Sequence, residues 1–406
     1  MFKTLILFLY QYPFKTSEPF METEISFLSA KFDKIIIFSV NVSKTDIQTR
    51  TVPKNVSCYP INCPHNKLSN ILRGFFCCKK GYKRFYFNFK KTLSSLYTIG
   101  RMKKVYKKAL KIVLANGITD NCVIYSYWLN LPLPAILLKR YFLKHNWKNV
   151  VAISRGHGYD IYSERNVINY LPFQKEYIND LNYVFPCSEN GSAYLKSKYS
   201  SFSSKINVSR LGTTYQGENP KTTNDKINFV TCCRFRKLKR LDLFAKAFSI
   251  LKKSGYPVIW TLIGDGEEED NLFLLFKELD IETNVIKIGR LQNKEVIDYY
   301  RNNHVDFFVN TSTTEGVPVS IMEALSFGIP CIATNVGGTS EILDESCGIL
   351  VDKNVTPERL SDFIKNEIEN ENRYLKRGNA KEMWKSKCSA EALYSEWADK
   401  LSKMID

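Results

Sequence analysis

At 406 residues the chain is too long for one comfortable hydrophobic core, so two domains are expected. A hydrophobic fraction of 44% and a mean hydropathy of -0.25 describe an ordinary globular composition, and no run approaches the roughly 18 apolar residues of a membrane helix. The net charge of +17 is unevenly placed, because no Asp or Glu occurs between Lys67 and Lys111.

The amino-terminal Thr4 to Tyr10 follows a single Lys3 and leads into Gln11-Tyr-Pro-Phe with no small-residue cleavage site. It reads as a first buried strand rather than a signal peptide. Strands are predicted at Phe2 to Tyr10, Lys34 to Val40 and Val56 to Pro60, with an amphipathic helix over Glu18 to Phe32. The acid-free stretch follows, a helical excursion over 66–113. Lys79, Lys80, Lys83, Arg84, Lys90 and Lys91 interleave there with Phe75, Phe76, Tyr82, Phe85, Tyr86, Phe87 and Phe89. Such a basic aromatic face suits an anionic membrane surface, where each charge contributes roughly 1 kcal/mol. It equally suits a solvated helix with core aromatics. Nucleic acid is disfavoured, since no recognition motif accompanies the charge. Strands at Cys122 to Tyr127, Asn149 to Ser154, Leu181 to Pro186 and Ile206 to Leu211, with a helix over 131–144, complete a first domain spanning 1–212.

A polar stretch, 213–226, reads as the interdomain linker. The second domain, 227–406, repeats the alternation with strands at Ile227 to Cys233, Val258 to Ile263, Asn284 to Ile288, Val305 to Asn310, Pro330 to Ala333 and Gly348 to Val351. A polar helical tail ends the chain, its last helix expected to pack back on the first domain. Strands alternating with helices predict two parallel sheets, which bind ligands beyond the carboxyl ends of their strands.

The stretch from Glu315 to Pro330 carries the chemistry. Pro318 suits a first helical position, and the free N–H groups of a helix start favour an anion. Glu315 and Glu323 flank that start, and a carboxylate accepts two hydrogen bonds and so holds a sugar cis-diol. Taken alone, their spacing favours the plainer reading, two solvated glutamates near an ordinary helix start. Arg234, directly after a strand, and Lys239, five positions on, would neutralise a diphosphate. They are embedded in a run with Arg236, Lys237 and Arg240 that also reads as a solvated face. His157, between Gly156 and Gly158 just past a strand, suits a sugar hydroxyl or a loop tie to Asp160.

Absences narrow the field. No Asp-x-Asp pair for a metal–diphosphate, no phosphate-loop signature and no third glycine after Gly264-Asp-Gly266 or Gly156-His-Gly158 is found. Eleven cysteines, an odd number with no C-x-x-C, and four histidines point to reduced thiols and against a zinc site.

Arg234-x4-Lys239, Gly264-Asp-Gly266, Glu315-x7-Glu323 and Gly337-Gly338-x2-Glu341 resemble the motifs of retaining glycosyltransferases of family 4. The likeness covers about 227–352. It extends more loosely to Ser154-Arg-Gly-His157 and Cys187-Ser-Glu-Asn-Gly191. The resemblance implies the GT-B fold, two Rossmann-like α/β domains facing across a cleft, with the amino-terminal one taking the acceptor. It implies a nucleotide-sugar donor, with UDP chosen by prevalence and GDP open. Glu323 would hold the ribose, and Glu315 the transferred sugar. The N–H groups of Gly316, Val317, Pro318's neighbour Val319 and Ser320 would hold sugar and phosphate. Arg234 and Lys239 would bind the diphosphate, His157 would lie beside the donor sugar, and Gly289-Arg290-Leu291 would lie against the base. It implies retention by front-face attack, the leaving diphosphate helping to deprotonate the acceptor, with no metal or other cofactor.

Two departures stand out. Relatives carry a glycine-rich loop after the first strand, whereas Tyr12 to Glu18 holds no glycine, and Lys239-Arg240 replaces their Lys-Gly pair. The expectation is a cytoplasmic enzyme, peripheral at the inner face of the membrane through 67–111, that glycosylates a saccharide or polyprenyl-linked acceptor. An epimerase or hydrolase of the same fold is the alternative, and a nucleic-acid-binding protein is a remoter one.

Overall fold

A computed structural model describes residues 2–63, 66–77, 88–118, 120–221 and 225–406. Contacts divide the chain into two compact units. Unit 1 comprises Met1–Arg210 with Ala392–Asp406, and unit 2 comprises Leu211–Glu391.

Unit 1 holds β1 (Thr4–Leu9), α1 (Met21–Ser29), β2 (Lys34–Ser39), β3 (Val56–Pro60), α2 (Lys67–Cys77), α3 (Phe89–Ala115), β4 (Cys122–Ser126), α4 (Leu133–Lys144), β5 (Val150–Gly156), α5 (Gln174–Asp180), β6 (Tyr183–Pro186) and α6 (Glu189–Lys198). Its strands form one parallel sheet in the order β3-β2-β1-β4-β5-β6. Side chains alternate along β1, so each face receives its own set. Ile6 and Phe8 join a core with Ile99, Met102 and Val105 of α3. Leu5, Leu7 and Leu9 join another with Ile25 and Leu28 of α1 and with Trp397 and Leu401 near the chain's end. Both faces are covered, which is why β1 is apolar throughout rather than alternating with polar residues. Each such fully buried aliphatic or Phe side chain contributes about 1.5–3 kcal/mol.

One polar network lies inside that second core. Arg155 of β5 donates to Glu24 of α1 at 2.7 Å, both side chains being inaccessible to solvent. Trp397 Nε1 reaches the other Glu24 oxygen at 3.0 Å, and the guanidinium lies 4.8 Å from the Trp397 ring.

Unit 2 holds β7 (Ile227–Cys232), α7 (Leu241–Lys253), β8 (Val258–Ile263), α8 (Glu269–Glu278), β9 (Val285–Gly289), α9 (Asn293–Asn302), β10 (Phe307–Asn310), α10 (Val319–Ser326), β11 (Cys331–Thr334), β12 (Gly348–Val351), α11 (Pro357–Glu369) and α12 (Leu375–Lys387); the last helix, α13 (Ala390–Lys403), belongs to unit 1 from Ala392 onward. The sheet order β12-β11-β10-β7-β8-β9 repeats the unit 1 pattern. In each sheet the chain reverses its direction of growth once, between β1 and β4 and between β7 and β10. Ligands of open α/β sheets bind at such switch points.

Two local expectations change. Ile206 to Leu211 is no strand: only Ile206 bridges to Val184, and Asn207 and Ser209 donate to backbone carbonyls of Val184 and Pro186. Residues 213–221 of the expected linker pack on unit 2, because buried Asn219 donates to the carbonyls of Tyr300 and Asn303 and accepts from Val305. Residues 222–224 lie outside the described part. So do Lys79, Lys80, Tyr82, Lys83, Arg84, Phe85, Tyr86 and Phe87 of the basic excursion, which is described as α2 and α3.

Candidate active site

In unit 2, β7 and β10 are adjacent parallel strands, pairing Phe307 with Phe229 and Phe308 with Val230. The loops leaving their carboxyl ends are therefore brought side by side. Thr311 Oγ1 donates to the carbonyls of Lys239 and Arg240 at 3.1 and 3.0 Å, and the Thr313 N–H to that of Leu238 at 2.8 Å. These bonds fix the turn carrying Lys239 against the loop carrying Glu315. Lys239 Nζ then donates to Glu315 Oε1 at 2.7 Å. Ser312 Oγ and Asn310 Nδ2 donate to the same oxygen at 2.7 and 3.2 Å. Glu315 thus accepts from one cation and two neutral donors.

The glycine pair of the Gly337-Gly338 motif acts from behind this carboxylate. Gly337 has φ +60°, and a Cβ there would come within 2.0 Å of the Glu315 carbonyl oxygen. The Gly338 N–H donates to the Gly316 carbonyl at 2.6 Å. Gly264 and Gly266 serve the neighbouring turn, where a Cβ would meet the backbone of Cys233 and Phe235.

Helix α10 starts at Val319, so Pro318 is the residue before it rather than its first, and no side chain caps it. The N–H groups at its head are the orphans that any helix start leaves, and its dipole favours an anion there. On the next turn Glu323 accepts from Asn293 Nδ2 at 2.7 Å. Although Glu323 keeps some exposure, burial of its carboxyl pushes it up to about 7, against the opposing pull of the Asn293 bond. Arg234 is exposed beyond β7, with no ion pair among the described residues. Gly289, at φ +81°, accepts from the Gly264 N–H at 2.8 Å, while Arg290 is exposed and Leu291 half-buried. Unit 2 therefore groups Lys239, Glu315 and the head of α10 at one switch point, with Glu323 one turn further.

His157 belongs to unit 1, past β5. Its N–H donates to Asp160 Oδ1 at 2.8 Å, and its Nε2 faces the Tyr127 carbonyl at 3.1 Å. A carbonyl only accepts, so Nε2 carries the proton and Nδ1 is left as an acceptor. The ring packs on Trp128 and Tyr127, at 4.4 and 4.9 Å between centroids. Burial, helped by Arg155, lowers its pKa to about 3, so the imidazole is neutral at pH 7. It can accept a hydroxyl hydrogen bond but cannot supply positive charge.

Glu18 is a residue that sequence reasoning passed over. In the glycine-free loop after β1 its carboxylate accepts from the N–H groups of Tyr10, Gln11 and Tyr12 at 2.9, 2.8 and 2.9 Å, and from Trp128 Nε1 at 2.6 Å. Successive N–H groups make an anion cradle. Here the chain fills the cradle with its own carboxylate.

Among the described residues no group of three or more His, Cys, Asp or Glu could hold a metal ion, and no helix is long and apolar enough to cross a membrane.

Comparison with known proteins places these features in context. Residues 215–384 match the family model for glycosyl transferases group 1. An uncharacterised glycosyltransferase of Haemophilus influenzae is 32% identical over 165 residues, 39% of this chain and 44% of that protein. The putative colanic acid biosynthesis glycosyltransferase WcaL of Escherichia coli K12 is 29% identical over 209 residues, 49% of this chain and 50% of that protein. The chain thus spans half or less of these curated relatives. Anabaena HepE, solved in complex with UDP-glucose, superposes with a TM-score of 0.67 at 14% identity, over 98% of this chain and 99% of that one. The fold is that of the GT-B glycosyltransferases, with two Rossmann-like parallel-sheet units.

Proposed function

We propose that the chain is a glycosyltransferase of polysaccharide or glycolipid biosynthesis. It moves a hexosyl unit from a nucleotide diphosphate sugar to a saccharide or lipid-linked acceptor, with retention of configuration. The observation that carries this reading is the Glu315 carboxylate, fixed by Lys239, Ser312 and Asn310 beside the open head of α10, at the switch point of the unit that matches the family model.

In this reading Glu323 binds the ribose hydroxyls and Glu315 those of the transferred sugar. Arg234, Lys239 and the N–H groups at the head of α10 stabilise the diphosphate as charge grows on it, which removes the need for a divalent ion. Gly289, Arg290 and Leu291 lie against the base. Unit 1 takes the acceptor, and His157 accepts from a sugar hydroxyl through Nδ1. Neither glutamate acts as general base; the departing diphosphate takes the acceptor proton. The donor is taken to be a UDP-sugar, the ligand with which HepE was solved. Transfer assayed with UDP-, GDP-, ADP- and dTDP-sugars, with and without EDTA, tests nucleotide and metal together. Donor turnover that is equally fast without any acceptor would mark a hydrolase instead.

The same proposal places the enzyme at the cytoplasmic face of a membrane. Leu68, Leu72, Phe75 and Phe76 of α2 are 69, 53, 58 and 83% exposed. They fall on one helical face beside Lys67 and Arg73, a pattern that suits an anionic lipid surface. Flotation with phosphatidylglycerol vesicles that survives Leu72→Glu with Phe76→Glu would overturn it.

A further inference from the structure

We infer that unit 1 carries a binding pocket for a saccharide bearing an oxyanion, a phosphate ester or a uronate carboxylate, received by Arg101. The inference rests on the transferase reading, for such a ligand would be the acceptor.

A cavity of about 370 Å³ opens at the switch point of the first sheet. Tyr10, which follows β1, and Asn130, which follows β4, line one side, and Tyr97, Thr98 and Arg101 of α3 line another. Positions 97, 98 and 101 share a helical face. Its size is that of a site for a small molecule.

Arg101 is only 6% exposed, yet no carboxylate pairs with it among the described residues. Its Nη2 donates to Asn41, and its Nε meets no acceptor. A guanidinium withdrawn from water without an anion is costly, and Arg155 in the same unit shows the usual remedy, a carboxylate at 2.7 Å. The acid-free run from Lys67 to Lys111 supplies no internal partner either. The rest of the lining suits sugar hydroxyls. Tyr10 Oη donates to Asn130 Oδ1 at 2.8 Å and receives from Tyr159 at 3.1 Å, a set of hydroxyl and amide groups beside aromatic faces. Neutral saccharide would use only those groups, whereas an acidic one would also neutralise Arg101.

The test is calorimetric titration of the full chain with glucose, glucose 6-phosphate, glucuronate and inorganic phosphate. Glucose 6-phosphate or glucuronate is expected to bind at least about tenfold tighter than glucose, with inorganic phosphate weaker than the sugar phosphate. Arg101→Gln should abolish that preference. Should Arg101→Gln fail to fold, Thr98→Phe fills the cavity with Arg101 in place and should abolish binding of both. Equal affinity for charged and neutral sugar, or a preference that survives both substitutions, overturns the pocket. Inorganic phosphate binding as tightly as the sugar phosphate overturns its saccharide part. UDP titrated into the same wild-type preparation separates the two readings. Absence of UDP binding counts against the transferase, and UDP binding without any preference for charged sugar counts against this pocket alone.

Discussion

Lys239 and Glu315, 76 positions apart, meet at 2.7 Å because β7 and β10 are neighbours at the switch point of the second sheet. In the proposed reading this pair joins the cation that would meet the diphosphate to the carboxylate that would meet the sugar. Donor binding must loosen that pair or share it. Lys239→Met and Glu315→Gln are each expected to lower kcat/KM for transfer by about 10- to 100-fold, the range of a hydrogen bond to a charged group. The double variant should cost less than the two losses multiplied, since both residues act through one contact. Steady-state kinetics of the four proteins checks this, and fully multiplicative losses would mean independent roles.

If Glu323 holds the donor as proposed, stability and binding should depend on pH in opposite senses. Its carboxyl is raised from 4.5 to about 7 in the folded chain. Its protonated form therefore favours the fold, a contribution fully present below pH 4.5 and lost as pH rises through 7. Glu323→Gln should flatten that part of the thermal-stability profile and raise Tm above wild type at pH 8. Donor affinity runs the other way, because the ionised carboxylate holds a diol better. The Kd for UDP should fall as pH rises from 6 to 8, and Glu323→Gln should remove the trend.

Gly337 has no room for a side chain. With φ +60° and the Glu315 carbonyl 2.0 Å from a built Cβ, Gly337→Ala must displace the Glu315 loop. Transfer should fall at least about tenfold while Tm drops by only a few degrees, since the strain falls on one loop. Unchanged kcat/KM would show that the loop position is not critical.

The Arg155–Glu24 pair is structural. Glu24→Ala strands a guanidinium in the core and is expected to cost about 3–5 kcal/mol in denaturant unfolding. A loss below about 1 kcal/mol would indicate that water reaches the site.

Much of the fold was legible because its signals are local. Short apolar runs such as Leu5 to Leu9 and Ile35 to Phe38, rich in branched side chains and bounded by turn residues, read as strands buried on both faces. The Glu315-x7-Glu323 spacing likewise reads as a loop entering a helix. What the sequence could not show depends on strand order. Nothing local reveals that β7 lies beside β10, so the contact of Lys239 with Glu315 was invisible, as was the absence, among the described residues, of a carboxylate paired with Arg101. The glycine-free loop after β1 hid its logic too, because Glu18 reaches back six to eight residues to fill the cradle. His157 was read as a sugar-hydroxyl ligand or a loop residue tied to Asp160; the Asp160 tie forms through its backbone N–H, while the Tyr127 carbonyl contact and buried ring make the imidazole a neutral acceptor. Ile206 to Leu211 looked like a strand by composition, but beyond the bridge at Ile206 it follows β6 without forming a ladder.

Titration calorimetry with UDP-glucose at pH 8 tests nucleotide-sugar binding at the second switch point most directly. One saturable site is expected, with affinity at least about tenfold weaker in both Glu315→Gln and Glu323→Gln. Failure to bind any UDP-, GDP-, ADP- or dTDP-sugar, or an affinity unchanged in both variants, would contradict it.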